Sequence, residues 1–545
     1  MSSEKLLRLN HLCIAYGTKQ TGFHEVVHDF SAGLDKGEIL CIAGESGSGK
    51  STVLKAIVGM PSYVTEVMSG EVLFRGKDLV PMDWEERQKL LGTEIGLVQQ
   101  NPAAAFNPIR TYEKQFQETL LSHGHPYEQT EILETFGKLG LPKDERILKS
   151  CPYEMSGGMN QRIAIALITL LKPPLLLCDE VTSALDVTTQ DQVADELLKL
   201  RDTTGIAILL VTHNLGLAAK MADRVAILFG GERKEYGPVE QVLRHPKSSD
   251  TKKLLGAIPT FHKELPKRDL SGNVILTVDN AVRNYHVNGN TIHALRGVSL
   301  DVHRGEILGI VGESGSGKST ILRHVACLDH LTSGAITLKG RDVTHGSPKK
   351  VCADLQMVFQ DAYASFDPRK KLRDSLLETL RIANKRAGRK ETKEQMEEVM
   401  TRHIKAVGLD PELLDRYPSR LSGGQCQRMA IARAVSVHPD LLLCDEATSA
   451  LDVFAQEEVV KLLSRLREEL DITILFISHD LALVHSFCDR VIVLKDGAVV
   501  EAGEAHDVIC SPKEEYTKQL MASVLTLDEL DKRSDLHEES SEDGD

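Results

Sequence analysis

The chain of 545 residues exceeds what one hydrophobic core usually supports, so two domains of comparable size are expected. Its composition, 41% hydrophobic and 26% charged, is that of a globular protein and excludes a wholly disordered or fibrous one. The formal net charge of -14 disfavours nucleic acid as a partner, because an acidic surface repels a phosphate backbone.

The sequence shows no signal for secretion, membrane insertion or a cysteine-based site. The first residues lack the basic flank and apolar segment of a signal peptide, and the longest apolar stretch, Ile163–Leu171, stops at Lys172 and two prolines. We therefore expect no membrane-spanning helix. The ten cysteines form no CxxC pair, so we expect reduced thiols without a disulfide or zinc role.

An internal duplication organises the chain. The segment GESGSGKST at residues 44–52 occurs again, identically, at 312–320. At nearly the same spacing, LLLCDE occurs twice, and MSGGMNQR in the first half corresponds to LSGGQCQR in the second. The sequence therefore predicts one domain built twice.

The boundaries of the two copies follow from composition. We predict a first domain at 1–260, whose last part forms a helical extension, and a linker rich in Pro, Lys and Gly at 261–272. The second domain spans 273–524. Because Asp, Glu and Ser dominate the end of the chain, residues 525–545 are predicted to form an acidic, disordered tail.

Each copy has the pattern of an α/β fold. Short apolar strands, such as Ile39–Ala43, Leu175–Cys178 and Ile206–Val211, alternate with helical segments, which predicts a mostly parallel sheet covered by helices. A strand-rich, antiparallel part precedes it. The more polar stretches Gln100–Met155 and Gln360–Leu421 predict an inserted helical subdomain.

Both copies of the repeated segment fit the phosphate-binding pattern GxxxxGK[ST] between an apolar strand and an apolar helix. The glycines let backbone amides surround phosphate oxygens, and the lysine reaches the terminal phosphates. A chance glycine-rich turn is the alternative. The predicted nucleotide-binding residues are Gly44, Gly47, Gly49, Lys50, Ser51 and Thr52, with Gly312, Gly315, Gly317, Lys318, Ser319 and Thr320 in the second copy.

A pair of carboxylates ends the strand LLLC in each copy, at the sheet edge where open α/β sheets keep their ligands. Asp179 and Asp445 are predicted to hold Mg2+ together with the loop serines. Glu180 and Glu446 are predicted general bases that accept a proton from the attacking water. A solvent-facing Glu at a strand end is the alternative for either residue.

The motifs, taken in order, resemble the ABC ATPases, and the resemblance covers nearly the whole chain. Ser-Gly-Gly precedes an apolar helix twice, and Ser-Ala-Leu-Asp follows each carboxylate pair. The resemblance implies two composite ATP sites, each joining one loop to the signature of the other copy, so one chain suffices per transporter. The signature residues are Ser156, Gly157 and Gly158, with Ser422, Gly423 and Gly424.

The resemblance also assigns roles to three residue types outside these motifs. Tyr16 and Tyr285 match the aromatic residue that stacks on adenine, Gln100 and Gln360 the glutamine that contacts Mg2+ and water, and His213 and His479 the γ-phosphate histidine. Structural roles in a core, a loop or a strand end are the alternatives. Two departures stand out: Met155 replaces the usual Leu, and Asn160 is expected to interrupt the first signature helix.

Two segments resemble the peptide and nickel importer branch of that family. NPAAAFNPIRTYEKQFQETL and DAYASFDPRKKLRDSLLETL follow the two glutamines, and His245-Pro246 is similar to the His-Pro-Tyr extension, of which residues 511–524 are a degenerate copy. The resemblance implies ATP and Mg2+ as cofactors, two separate transmembrane permease subunits and, indirectly, an extracytoplasmic solute-binding protein. The chain would then lie in the cytoplasm at the inner face of the membrane.

Other tandem cassettes remain alternatives. A soluble protein that activates an enzyme or remodels a ribosome would carry the same paired chemistry, although the chain lacks the long charged arm or cysteine cluster of ribosome-acting members. Tandem cassettes of DNA repair are disfavoured by the missing cysteine clusters and the acidic charge.

Overall fold

The computed structural model describes residues 5–18, 22–60, 64–183, 185–261, 270, 272–287, 290–388, 392–449 and 451–533. The chain forms two compact units. Met1–Ile258 and Leu525–Asp545 make up the first unit, and Pro259–Val524 the second.

The first unit contains both strands and helices along its whole length. Its strands are β1 (Leu7–Thr18), β2 (Gly22–Leu34), β3 (Ile39–Gly44), β4 (Thr65–Phe74), β5 (Lys77–Asp78), β6 (Ile95–Val98), β7 (Leu175–Asp179), β8 (Ala207–Thr212), β9 (Arg224–Phe229) and β10 (Glu232–Pro238). Its helices are α1 (Lys50–Val58), α2 (Trp84–Gln88), α3 (Pro102–Ala105), α4 (Tyr112–Ser122), α5 (Gln129–Lys138), α6 (Glu145–Lys149), α7 (Gly157–Leu171), α8 (Val187–Thr204), α9 (Leu215–Met221), α10 (Val239–Arg244) and α11 (Ser249–Gly256).

The second unit repeats this order with small differences. Its strands are β11 (Val274–Val287), β12 (Asn290–His303), β13 (Ile307–Val311), β14 (Ser333–Leu338), β15 (Arg341–Asp342), β16 (Leu355–Val358), β17 (Leu441–Asp445), β18 (Thr473–Ile477), β19 (Arg490–Lys495) and β20 (Ala498–Glu504). Its helices are α12 (Lys318–Val325), α13 (Pro348–Val351), α14 (Leu372–Ala387), α15 (Lys393–Ala406), α16 (Gly423–Val435), α17 (Val453–Leu470), α18 (Leu481–Phe487), α19 (Ala505–Cys510) and α20 (Glu515–Ala522).

The sheets have a parallel core and an antiparallel part, as predicted. In the first unit ten strands join in the order β5-β4-β1-β2-β10-β9-β3-β8-β7-β6. Strands β6, β7, β8, β3 and β9 pair in parallel, whereas β1 pairs antiparallel with β2 and β4. The second unit has a four-stranded sheet, β12-β11-β14-β15, and a six-stranded sheet, β16-β17-β18-β13-β19-β20.

The central strands are apolar because helices cover both faces of a parallel sheet. Every residue of β3 and β8 is buried, and the predicted strands agree with β3, β7 and β8 to within one residue. Helices α3 to α6 lie between β6 and α7, and α14 and α15 lie between β16 and α16, which confirms the inserted helical subdomain. The core of the first insertion includes an edge-to-face pair of Phe116 and Phe136.

The end of the described chain differs from the predicted tail. Residues 525–533, hereafter the carboxyl-terminal strap, belong to the first unit. Leu530 is buried, and Arg533 donates hydrogen bonds to backbone carbonyls at the end of α9. Residues 534–545, and 262–269 and 271 of the predicted linker, lie outside the described residues. Among the helices that the structure describes, none is long and apolar enough to cross a membrane.

Candidate active site

The first glycine-rich loop joins the buried strand β3 to helix α1. Gly44 has a φ of 150°, and a Cβ there would lie 2.0 Å from the carbonyl oxygen of Leu228, so the loop leaves the sheet where only glycine fits. Lys50 begins α1, is buried, and donates from Nζ to the carbonyl oxygens of Gly44 at 3.1 Å and Glu45 at 2.7 Å. The loop thus closes around the amine that is predicted to meet the phosphates.

The second loop repeats this geometry between β13 and α12. A Cβ at Gly312 would lie 2.2 Å from the carbonyl oxygen of Leu494, and Lys318 donates to Gly312 at 2.8 Å and to Glu313 at 2.7 Å. Thr52 and Thr320 lie in the first turns of α1 and α12. The remaining loop glycines also have positive φ: Gly47 (77°), Gly49 (99°), Gly315 (84°) and Gly317 (103°).

A hydroxyl and a carboxylate meet beside each loop. Ser51 Oγ donates to Asp179 Oδ1 at 2.6 Å, and Ser319 Oγ donates to Asp445 Oδ1 at 2.8 Å. Burial raises the pKa of both aspartates, although the serine hydroxyls oppose it. Mg2+ takes hard oxygen ligands, and a nearby cation favours the ionised carboxylate, so these pairs fit the predicted metal.

The next residue of each strand end has an unusual backbone conformation. Glu180 and Glu446 have φ values of 48° and 47°, in the left-handed region that non-glycine residues seldom adopt. Ser183 Oγ donates to the carbonyl oxygen of Glu180 at 3.0 Å, and Ser449 does the same for Glu446 at 3.0 Å. The serine of each Ser-Ala-Leu-Asp motif therefore stabilises a strained turn that orients the glutamate.

Side chains from two other strand ends converge on Glu180, which itself follows β7. Gln100, which follows β6, donates from Nε2 to its Oε2 at 2.7 Å, and Nδ1 of His213, which follows β8, lies 3.4 Å from its Oε1. Burial alone would raise the pKa of this carboxyl, but the hydrogen bond and charge of His213, with Lys50, outweigh burial and hold the pKa below its ordinary value. The carboxylate is therefore ionised at neutral pH and able to accept a proton.

The second unit brings the same residue types together. Gln360 Nε2 donates to Glu446 Oε2 at 2.8 Å, and His479 Nδ1 lies 3.7 Å from the same oxygen. Both glutamines thus contact the predicted base directly. Their role toward Mg2+ stays a prediction.

The two predicted adenine-stacking tyrosines make different contacts. Tyr16 Oη lies 3.1 Å from Thr52 Oγ1 and accepts from Lys55 Nζ at 3.3 Å. Tyr285 Oη donates to Asp329 at 2.8 Å, and the Arg283 guanidinium lies 4.4 Å from the centre of its ring. One face of the Tyr285 ring is therefore covered by a cation, and adenine stacking stays a prediction for both residues.

The signature serines cap helices, and the glycines that follow begin them. Ser156 Oγ accepts from the Met159 amide at 3.3 Å at the start of α7, and Ser422 Oγ accepts from the Gln425 amide at 3.3 Å at the start of α16. Gly157 and Gly158 open α7, as Gly423 and Gly424 open α16. Their assignment to the nucleotide of the other copy stays a prediction.

Asn160 does not interrupt the first signature helix, and that prediction is wrong. Helix α7 is continuous, and the buried Asn160 side chain donates from Nδ2 to the carbonyl oxygens of Pro152 at 3.1 Å and Met155 at 3.2 Å. Tyr112 at the start of α4 donates to its Oδ1. Sequence reasoning missed Tyr112. The available signal was Asn160, a polar residue on the apolar face of a helix, because a buried polar side chain needs hydrogen-bond partners.

Two phosphate-binding loops, each with a Ser–Asp pair and a glutamate held by glutamine and histidine, define a tandem pair of P-loop ATPase domains. The family described as "ABC transporter" matches residues 27–183 and 295–449, and "Oligopeptide/dipeptide transporter, C-terminal region" matches 500–543. The chain belongs to the ABC transporter family and is an ATPase of that family.

Its relatives are ATP-binding proteins of similar length. Over 98% of this chain and 99% of the relative, it is 34% identical to the peptidoglycan transport ATP-binding protein YejF of Agrobacterium fabrum. Over 96% of this chain and 90% of the relative, it is 33% identical to the glutathione import ATP-binding protein GsiA of Escherichia coli O157:H7. The fused arrangement of two ATPase domains is thus shared with proteins named for transport and import.

Proposed function

We propose that the chain is the fused ATPase subunit of an importer for peptides or peptide-like solutes. The match of residues 500–543 to the oligopeptide/dipeptide transporter C-terminal region carries this proposal. It is supported by relatives named for peptidoglycan transport and glutathione import. Peptidoglycan and glutathione both contain peptide bonds. Nickel, which the same branch of the family also transports, is the alternative solute.

The chemistry proposed for the first site uses residues of one unit. Lys50 and the loop amides bind the β- and γ-phosphates, and Glu180 accepts a proton from water as its oxygen attacks the γ-phosphorus. The bond to the bridging oxygen breaks, leaving ADP and phosphate. Mg2+, held by Ser51 and Asp179, would neutralise phosphate charge. His213 orients Glu180 and reaches the γ-phosphate.

The second site carries the matching set. Lys318 binds phosphate, Glu446 accepts the proton, and His479 orients the base. Ser319 and Asp445 are the corresponding metal ligands. Because both units keep the base and the histidine, we propose that both hydrolyse ATP.

The proposed partners are two transmembrane permease subunits and an extracytoplasmic solute-binding protein. The proposed docking region is that around Gln100 to Leu120 in the first unit and Gln360 to Leu380 in the second. In this region the apolar side chain of Ile109 is 81% exposed. We expect the contact with the permease to bury this side chain. We further propose that the chain lies at the inner face of the membrane and, because it carries two ATPase domains, that one copy serves each transporter.

Copurification tests the proposed function. The tagged chain is isolated from gently solubilised membranes of its native host, and the proteins that accompany it are identified by mass spectrometry. We expect two multispanning permeases to accompany the chain. Ile109→Asp should lower the amount of permease recovered with it. A complex with soluble proteins alone would contradict the importer proposal and favour the cytosolic alternative, while leaving the ATPase chemistry intact.

A further inference from the structure

One thiol and two imidazoles form a cluster in the second unit, outside the residues assigned to the nucleotide. His485 Nε2 lies 3.1 Å from His506 Nδ1 and 3.4 Å from Cys510 Sγ. All three ligand atoms lie within 4.8 Å of one another. His485 is buried in α18, whereas His506 and Cys510 are exposed on α19. No other cluster of this kind occurs among the residues that the structure describes.

The spacing suits a zinc ion. Tetrahedral Zn2+ with bonds of about 2.0 Å to nitrogen and about 2.3 Å to sulfur separates its ligand atoms by roughly 3.3–3.6 Å. The observed separations of 3.1 and 3.4 Å are close to these values. His506 and Cys510 are four residues apart in the sequence, one turn along the same helix, which directs both toward the third ligand.

The internal duplication shows that the fold does not impose this cluster. Helices α9 and α10 of the first unit correspond to α18 and α19, and the equivalent positions hold Ala219, Glu240 and Arg244. There Arg244 forms an ion pair with Glu240 at 3.7 Å, one helical turn away. The second copy therefore carries three ligand-type side chains at positions that in the first copy serve a surface ion pair and a helix interior.

We propose that His485, His506 and Cys510 bind one Zn2+ ion. Binding releases the thiol proton of Cys510 to solvent, and the two neutral imidazoles provide nitrogen ligands. Three protein ligands leave a fourth position for water, so the ion is exchangeable. The ion would join α18 to α19. Helix α18 begins directly after His479 and Asp480.

Cobalt substitution tests the site in the full-length protein, prepared without a polyhistidine tag and stripped with a chelator. Titration with Co2+ alone should give thiolate charge-transfer absorbance that saturates near one equivalent, and Zn2+ should abolish it. Cys510→Ser should remove the charge-transfer band, and His506→Ala should weaken Zn2+ binding more than about tenfold. Both residues are exposed, so these variants should fold, which circular dichroism checks.

The chain supplies matched controls. Cys352→Ser removes a partly exposed thiol, and His345→Ala removes an imidazole whose ring centre lies 6.2 Å from that of His330. Neither should change the Co2+ spectrum or the Zn2+ affinity. Absence of charge-transfer absorbance in the folded wild-type protein would overturn the proposal, as would Zn2+ binding that Cys510→Ser and His506→Ala leave unchanged. None of these outcomes depends on transport or on a permease.

Discussion

Two opposing effects act on the pKa of Glu180, and a pH profile of ATP hydrolysis can separate them. Burial raises its pKa, whereas the hydrogen bond and charge of His213 lower it and prevail. Replacing His213 by Ala leaves burial as the main influence, so the pKa should rise. Because the base must be ionised, hydrolysis should then fail at a higher pH as the solution is acidified.

The measurement uses a Glu446→Gln background, in which the second site lacks its proposed base and the first site alone hydrolyses ATP. Single-turnover ATP hydrolysis is followed between about pH 5 and pH 8, and His213→Ala should move the acid limb upward. His479→Ala in the same background is the matched control, since its own glutamate is already disabled. Equal acid limbs with and without His213 would show that it does not set the acidity of Glu180.

Asn160 and Tyr112 offer a second test at the scale of single residues. Asn160→Ala leaves the buried Tyr112 hydroxyl without its acceptor, which should lower the free energy of unfolding of the first unit by about 1–3 kcal/mol. Adding Tyr112→Phe removes the orphaned hydroxyl and should restore part of the loss. Urea unfolding followed by fluorescence of Trp84, the only tryptophan in the chain, measures the effect. Strictly additive losses would exclude a coupled pair.

At this scale, contiguous motifs were predictable and assembled contacts were not. Phosphate binding needs glycines, a lysine and a hydroxyl in one loop, so Lys50 and Ser51 are evident from their neighbours in the sequence. Tyr112 and Asn160 meet only because α4 packs against the start of α7. His485 and Cys510 likewise meet through the packing of two helices, so the sequence analysis gave the cysteines no role.

The carboxyl-terminal strap is an element whose contribution rests on few contacts. Arg533 donates to the carbonyl oxygens of Ala219 at 3.2 Å and Ala222 at 2.7 Å, and to Asp223 at 3.4 Å. These carbonyls close helix α9, where intrahelical donors are missing and a cation is favoured. A Cβ at Gly216 would lie 2.2 Å from the backbone oxygen of Leu525, so the strap fits closely against the helix.

Arg533→Ala should therefore destabilise the first unit by about 1–3 kcal/mol, because buried carbonyls lose their donor. Lys532→Ala is the matched control, since Lys532 pairs with Glu529 and is 61% exposed. Trp84 lies in α2 of the first unit, so its fluorescence reports this unit during thermal unfolding. If both variants unfold at the same temperature as the wild type, the strap does not stabilise the unit.

Helices and strands were predictable where a hydrophobic period or a run of apolar residues defines them. The strands β3, β7 and β8 follow from apolar runs that a parallel sheet requires. The strap was not predicted, because residues 525–545 were read as one segment, and the Asp, Glu and Ser of residues 534–545 dominate its composition. The side chains that anchor it, among them Leu530, Asp531 and Arg533, are too few to change the composition of the segment.

For the whole molecule, the duplication predicted the number of domains and the order of their motifs. It did not predict which equivalent positions hold residues with different contacts in the two copies. Asn160 of the first copy corresponds to Cys426 in the second, and the zinc ligands proposed for α18 and α19 have no counterpart in α9 and α10. The shared motifs place the residues proposed for nucleotide chemistry at matching positions in both copies, whereas the surrounding packing differs.

Because each unit holds its own lysine, Ser–Asp pair, glutamate and histidine, the chain should contain two competent sites. Glu180→Gln combined with Glu446→Gln should lower steady-state ATP turnover by roughly 10²–10⁴-fold, since both bases are lost. Binding of a fluorescent ATP analogue should persist, because the loop lysines and the Ser–Asp pairs remain. Glu469→Gln, at an exposed position, is the control for a charge change alone.

The single variants decide whether both sites turn over. With one base intact, Glu180→Gln and Glu446→Gln should each keep activity well above that of the double variant. If one single variant were as inactive as the double while the other matched the wild type, only one site would hydrolyse ATP at a useful rate. The matching geometry of the second unit, with Gln360 at 2.8 Å from Glu446, would then have to serve nucleotide binding rather than hydrolysis.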